Sequence, residues 1–321
     1  MKESEKRRMK VVFFGTSRFA VPALEALAQD KRFEIAAIFT QPDSRAGRGL
    51  EMLPSAVRAL ADLLGLPIFQ PADVNAPDVI AQIKKLAPDV LLTASYGQKM
   101  SDELLGLAKK YALNLHASLL PRHRGASPIQ ASILSGDKES GVTLMGMTSK
   151  MDAGPIYAQK ASPIGKSETA GDLHERLAIV AKELLMEQAD ALFSGKAKGM
   201  PQDETKATRA TLLDKDHGRV RWDRTAAEID RHVRGMTPWP GAFTFCPTDR
   251  STTRLIVCKG EVLDHPSPAM PGTVVAFTSG IEVATRVGVY LIQEVKRSGK
   301  RALHAVEFLR GFPLPVGTRL N

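Results

Sequence analysis

Residues 10–39 read KVVFFGTSRFAVPALEALAQDKRFEIAAIF, and this stretch decides the fold class. Lys10–Phe14 is a short apolar run closed by Gly15-Thr16-Ser17, the pattern of a buried strand that ends in a turn. Pro22 then falls where the first turn of a helix through Leu27 tolerates a residue without an N–H. Phe33–Phe39 is a second apolar run of strand length. Strand, helix, strand is a βαβ unit, whose crossover makes the two strands parallel. The alternation continues with helical patterns at Ser55–Leu64, Pro77–Leu86 and Ser101–Ala108. Strand patterns fall at Pro67–Phe69, Val90–Ala94, Ala112–Leu115 and Val142–Met147, and a long amphipathic helix at Ala170–Phe193. This predicts an α/β domain over residues 1–195, a doubly wound, Rossmann-like parallel sheet with helices on both faces.

Beyond Phe193 the texture changes. Ser194–Thr211 is rich in Gly, Lys and Thr without a sustained period, which predicts a linker over residues 196–213. Strand-like runs follow at Phe243–Cys246, Leu255–Cys258, Gly272–Phe277, Ile281–Ala284 and Val287–Ile292, with helices only at Ala226–Met236 and His304–Leu309. Residues 214–321 therefore read as a smaller β-barrel, OB-like in kind. They carry 16 basic and 11 acidic side chains, more basic per residue than the first part.

The chain has 321 residues, 43% hydrophobic and 25% charged, proportions that exclude wholesale disorder. That length buries a core without staples. Cys246 and Cys258 form no CxxC or Cys/His cluster, so neither a disulfide framework nor a zinc site is expected. Two nearby strand cysteines instead read as buried apolar residues of a reduced, cytoplasmic protein. Met1–Lys10 mixes acids and bases, unlike a signal or transit peptide, and no window of 18 apolar residues predicts a membrane span. The net charge of +9 permits a polyanionic partner such as nucleic acid.

Ligands in an open parallel sheet bind beyond the carboxyl ends of the strands. The segment at such an end that carries chemistry is 113–126, LNLHASLLPRHRGA. Side chains two apart in a strand share a face, so Asn114 and His116 project together. An amide that donates to a developing oxyanion beside an imidazole that moves a proton suits attack on a carbonyl. The same spacing also describes a polar strand end with a satisfied histidine. Asp152, in the turn Met151–Pro155, would orient His116 or merely cap backbone N–H groups. Arg122-His123-Arg124 makes a basic loop that holds an anion or is simply solvated. Gly15-Thr16-Ser17-Arg18-Phe19-Ala20 lacks two glycines of the dinucleotide fingerprint, and there is no Walker A sequence. Thr40–Pro54, with Arg45, Gly47, Arg48 and Gly49, is long for a strand–helix connection and suits a phosphate backbone or an ordinary surface loop.

Taken in order, these segments resemble the methionyl-tRNA formyltransferase family over nearly the whole chain. The resemblance rests on Phe14-Gly15-Thr16, Gln41-Pro42-Asp43, Ala46-Gly47-Arg48-Gly49 and Asn114–Pro121. It continues through Arg124-Gly125-Ala126, Gly141-Val142-Thr143, Met151–Gly154, Gln202–Thr205 and Pro238-Trp239-Pro240-Gly241. Leu50-Glu51, where two lysines are usual, and His123, where Trp is common, depart from it. The resemblance implies catalytic Asn114, His116 and Asp152, folate binding by Ser118, Leu119, Leu120 and Pro121, and tRNA contact by Arg48. It also implies 10-formyltetrahydrofolate as co-substrate without a metal, initiator methionyl-tRNA as acceptor, and no membrane partner; nothing demands more than a monomer. Related activities that share the triad are formyl transfer to glycinamide ribonucleotide or an amino sugar nucleotide, and 10-formyltetrahydrofolate hydrolysis. A non-catalytic RNA-binding protein is the remaining class.

Overall fold

The computed structural model describes residues 8–46, 51–247 and 252–321. The chain forms two compact units, the first from described residues up to 128 with 139–163 and 174–210, the second from 129–138, 164–173 and 211–321.

In the first unit the strands are β1 (Met9–Gly15), β2 (Phe33–Phe39), the hairpin pair β3 (Ser44–Ala46) and β4 (Glu51–Leu53), β5 (Ile68–Phe69), β6 (Val90–Ala94), β7 (Tyr111–His116), β8 (Arg124–Gly125), β9 (Glu139–Gly146), β10 (Ile156–Pro163) and β11 (Arg209–Ala210). Helices α1 (Val21–Gln29), α2 (Ala56–Leu64), α3 (Pro77–Leu86) and α4 (Asp102–Leu105) connect them, and most of α6 (Ala170–Phe193) follows. A seven-stranded sheet runs in the order β10-β9-β7-β6-β1-β2-β5.

The expected Rossmann-like sheet is present, but it is not wholly parallel. β5, β2, β1, β6 and β7 are parallel neighbours, whereas β9 runs antiparallel to β7 and β10 antiparallel to β9. For β10 the reason lies in residues 147–155, too short a connection for a crossover, which obliges β9 and β10 to pair as a hairpin. β10 leaves little trace in the sequence because it is a polar edge strand, IYAQKASP, largely half-exposed. Two other differences have local causes. The helix expected over 101–108 is a single turn, α4, capped by Ser101 and ended at Gly106. Thr40–Pro54 contains the β3–β4 hairpin in place of a plain loop, with 47–50 outside the described residues.

Both faces of the central strands are covered, since successive residues Phe13 and Phe14, and Leu91 and Leu92, are all buried. On one face Phe14 stacks on Phe39 at 5.2 Å, and Tyr96 meets it edge-on at 5.4 Å. Val79 and Ile83 of α3 and Leu104 of α4 close that cluster.

The second unit contains α5 (Pro128–Ser135) from Ile129 onward, the first turn of α6, α7 (Ala226–Gly235) and α8 (Ala305–Gly311). Thr225 and Glu228 form a reciprocal capping box at the start of α7. The strands are β12 (Ala242–Pro247), β13 (Thr252–Leu263), β14 (Val274–Phe277), β15 (Ile281–Ala284), β16 (Val289–Arg297) and β17 (Leu303–His304). They form one antiparallel sheet, order β12-β13-β16-β15-β14, with β17 beside β16. The sheet curls as an OB-like half-barrel, and residues 318–321 bridge its ends. Asn321 and Phe245 exchange backbone hydrogen bonds of 2.9 and 2.8 Å, while Leu320 donates to Gly272 and Val274 to Thr318. Trp222 lies inside and donates its indole N–H to Thr244 at 3.0 Å.

Replacing Leu91, which is 0% exposed, by Ala should lower unfolding free energy by about 2–5 kcal/mol, the cost of a core cavity. Leu63→Ala on α2, at a position 81% exposed, should change it by less than about 0.5 kcal/mol. Urea unfolding followed by far-UV circular dichroism compares the two.

Candidate active site

The site gathers at the carboxyl end of β7. Leu113 and Leu115 are buried on one face, and Asn114 and His116 occupy the alternate positions, as the strand period requires. His116 is 6% exposed, and its Nε2 lies 2.9 Å from the backbone carbonyl of His123. A carbonyl only accepts, so Nε2 carries the hydrogen, which leaves Nδ1 as the nitrogen free to exchange a proton. Nδ1 faces Asp152 Oδ2 at 3.7 Å, beyond a direct hydrogen bond. The half-buried Asn114 amide carries no hydrogen bond to another described side chain or backbone group.

Asp152 has a left-handed backbone, φ +50°, which turns its carboxylate back toward β7. That carboxylate accepts the Gly125 N–H at 2.8 Å. Gly125 has φ +123°, and a Cβ there would stand 2.2 Å from the Ala210 carbonyl, so only glycine fits.

Ser118–Pro121 form a loop wrapped around β9 and β10. Thr143 donates its hydroxyl to Ser118 O at 2.6 Å and accepts from Leu120 N at 3.1 Å. Gln159 donates to Leu120 O at 2.8 Å and to Thr143 Oγ1 at 2.9 Å. Ser118 is fully buried, and its hydroxyl donates to Arg122 O at 2.7 Å. The Ser118 side chain therefore shapes the loop from within. Thr143 and Gln159 have no assigned role in the sequence reading, because their importance depends on an antiparallel register that only the fold displays.

A third group comes from the stretch expected to be a linker. Residues 200–210 lie along the first unit, with Met200 bridged to Ile156 and β11 paired in parallel with β8. Gln202 donates to the carbonyls of Asp152 at 2.8 Å and Gly154 at 2.7 Å. Its own Oε1 accepts from Arg124 Nη2 at 2.8 Å and Nε at 3.1 Å. Arg124 also forms a two-pronged pair with Glu204, at 2.8 and 3.0 Å. Hydrogen bonds from Arg124, then Lys150, hold the Glu204 carboxyl down at about 2. The run Gln202–Thr205 stands out in the sequence only as a motif, since low periodicity conceals its partners.

The ends of β1, β2 and β6 are tied together next to this site. Thr16 donates to Tyr96 O at 2.8 Å, Gln41 N donates to Thr16 Oγ1 at 3.3 Å, and Arg58 pairs with Asp43 at 2.7 Å. Arg48, the expected tRNA contact, lies outside the described residues. In the second unit, a cavity of about 340 Å³ is lined by Lys296, Arg297, Lys300, Arg301, Glu307 and Phe308 among others, an excess of positive charge. Among the described residues there is no group of three or more His, Cys, Asp or Glu able to hold a metal, and no helix long and apolar enough to cross a membrane.

Residues 9–189 match the formyl transferase family model, and residues 212–313 match the formyl transferase C-terminal domain. Among solved structures, a sugar 3N-formyl transferase, WlaRD, superposes with a TM-score of 0.67 at 17% identity, covering 92% of this chain and 100% of that one. HypX from Aquifex aeolicus in complex with tetrahydrofolic acid superposes with a TM-score of 0.64 at 17% identity over 97% of this chain. This chain spans about half the length of HypX, 48%. Those likenesses concern the fold. Sequence similarity is much higher to the methionyl-tRNA formyltransferases of Geotalea daltonii, 38% identical over 98% of both chains, and Methylococcus capsulatus, 40% identical over 98% of this chain and 100% of the relative. With identity at that level along nearly the whole of its relatives, the chain belongs to the methionyl-tRNA formyltransferase family.

Proposed function

We propose that the protein transfers the formyl group of 10-formyltetrahydrofolate to the α-amine of methionyl initiator tRNA, for translation initiation in the cytoplasm, acting as a monomer. The observation that carries the chemistry is the meeting of an Asn114 amide unpartnered among the described residues, a buried His116 with Nδ1 available, and the Asp152 carboxylate. In this reading residues 1–195 hold the folate and perform the reaction, 196–213 join the parts, and 214–321 bind tRNA. The loop of Ser118, Leu119, Leu120 and Pro121 holds the folate, with Ser118 acting from inside it and its shape set by Thr143 and Gln159. Arg48 meets the acceptor end of the tRNA.

The amine nitrogen attacks the formyl carbon, a C–N bond forms, and the carbonyl electron pair moves to oxygen. Asn114 donates its amide N–H to that oxyanion. His116 takes the proton from the amine at Nδ1 and returns it to the folate nitrogen as the old C–N bond breaks. The His123 carbonyl holds the ring through Nε2–H, and Asp152 stabilises the imidazolium that forms in between. No net charge is left over: the products are formylmethionyl-tRNA and tetrahydrofolate.

His116→Ala should lower kcat on the order of a thousandfold while leaving tRNA affinity within about threefold. Activity within about tenfold of the unaltered protein would reduce His116 to a satisfied strand-end residue. Charged initiator tRNA, an amino sugar nucleotide and no acceptor, compared side by side with 10-formyltetrahydrofolate, separate this reaction from its relatives.

Asn114→Ala should lower kcat about a hundredfold or more, and adding His116→Ala should cost much less than the product of the two effects. Single-turnover rates of the two single variants and the double variant give the coupling directly.

The four cations Lys296, Arg297, Lys300 and Arg301 supply tRNA attraction in this reading. Changing all four to Ala should flatten the slope of log affinity against log salt by about 3.6, near 0.9 for each phosphate no longer neutralised. Filter binding across a salt series measures it, and an unchanged slope would remove this cavity from the tRNA surface.

A further inference from the structure

The Gln202 side chain has every hydrogen-bonding position occupied, and its orientation admits no reversal. Its NH₂ serves two backbone carbonyls, those of Asp152 and Gly154, while its oxygen receives two guanidinium N–H groups from Arg124. A flipped amide would set oxygen against carbonyl oxygens and NH₂ against the cation. Arg124 is itself 9% exposed and is locked by the fork to Glu204. The same short segment is fastened at a second point, where Thr208 accepts His123 N–H at 2.8 Å on its hydroxyl and Arg124 N–H at 2.9 Å on its carbonyl. His123 is also the residue whose carbonyl holds His116 Nε2. Residues 202–208 thus grip both loops that flank the imidazole, the Asp152 turn on the Nδ1 side and the His123 turn on the Nε2 side.

We propose that Gln202, oriented by the Arg124–Glu204 pair, is a positioning residue that sets Asp152 against His116 during formyl transfer. This rests on the reading of Asp152 and His116 as the catalytic pair. Gln202 touches neither reactant; it acts only through the placement of the Asp152 backbone. A displacement of about 1 Å at a reacting group costs up to about a hundredfold in rate, so the effect should appear in kcat.

The test uses full-length protein with 10-formyltetrahydrofolate and charged initiator tRNA under single-turnover and steady-state conditions. Gln202→Glu keeps an acceptor for Arg124 but loses both donors, and Gln202→Ala loses everything. Both should lower kcat by about 10–100-fold with KM for either substrate within about threefold. In an Asp152→Asn background, Gln202→Glu should cost less than about threefold, because nothing is left to position. A purely structural residue would give the same loss in both backgrounds. Should the Gln202 variants fail to fold, Glu204→Gln at its exposed position replaces them, with a loss of about three- to tenfold that likewise vanishes beside Asp152→Asn. Full activity in Gln202→Glu, a loss confined to KM, or multiplicative losses in the double variant would each overturn the proposal. Full activity in Asp152→Asn alone would instead overturn the catalytic pair on which it rests.

Discussion

The antiparallel register of β9 against β7 is the constraint on which the site depends. His116 lies opposite Thr143 and Asn114 opposite Met145, so the chain leaving β7 turns directly alongside the incoming part of β9. Thr143 then receives the Ser118–Leu120 loop, and Gly141 leaves the space that Leu119 needs, since a Cβ there would stand 2.6 Å from Leu119 Cδ2. In an all-parallel sheet the next strand would arrive by a helical crossover, with its amino end far from the carboxyl end of β7. The reversal brings one strand's end beside another's beginning, and backbone groups of both become available at one place.

The central strands are legible because burial on both faces writes itself as continuous apolar sequence. Phe33–Phe39, Val90–Ala94 and the helix Ala170–Phe193 have the bounds expected of them. β10 is not legible, because IYAQKASP is neither a continuous apolar run nor a strict alternation, so nothing in it stands apart from a loop. The helix α5 escapes a sequence reading for a related reason. Eight residues beginning at Pro128 give barely two turns, with Ser132 among the buried positions and no apolar stripe.

The active site divides in the same way. Asn114 and His116 stand out together because a strand's period of two is local information. Asp152 is singled out by the family resemblance, and its carboxylate stands near His116 through a left-handed residue that turn composition alone does not specify. Gln202 and Glu204 fall within a motif of the same resemblance, which assigns them no role, and Thr208 carries no signal. Their partners Asp152, Arg124 and His123 lie 50 to 85 positions away, and the segment's own composition is that of a connector.

The pairing of β8 with β11 gives the site a place in time as well as in space. Arg124 and Gly125 are hydrogen-bonded to the segment around Thr208–Ala210, and the Asp152 turn is tied to Gln202. During synthesis the sheet through β10 and its helical cover emerge first, and domains generally fold as their residues become available. The ties that Gln202, Thr208 and Ala210 add to the two turns flanking His116 form only once residue 210 has been made. A nascent chain can therefore complete its central sheet while its chemistry is still loose, and competence arrives as a separate, later event than folding of the sheet.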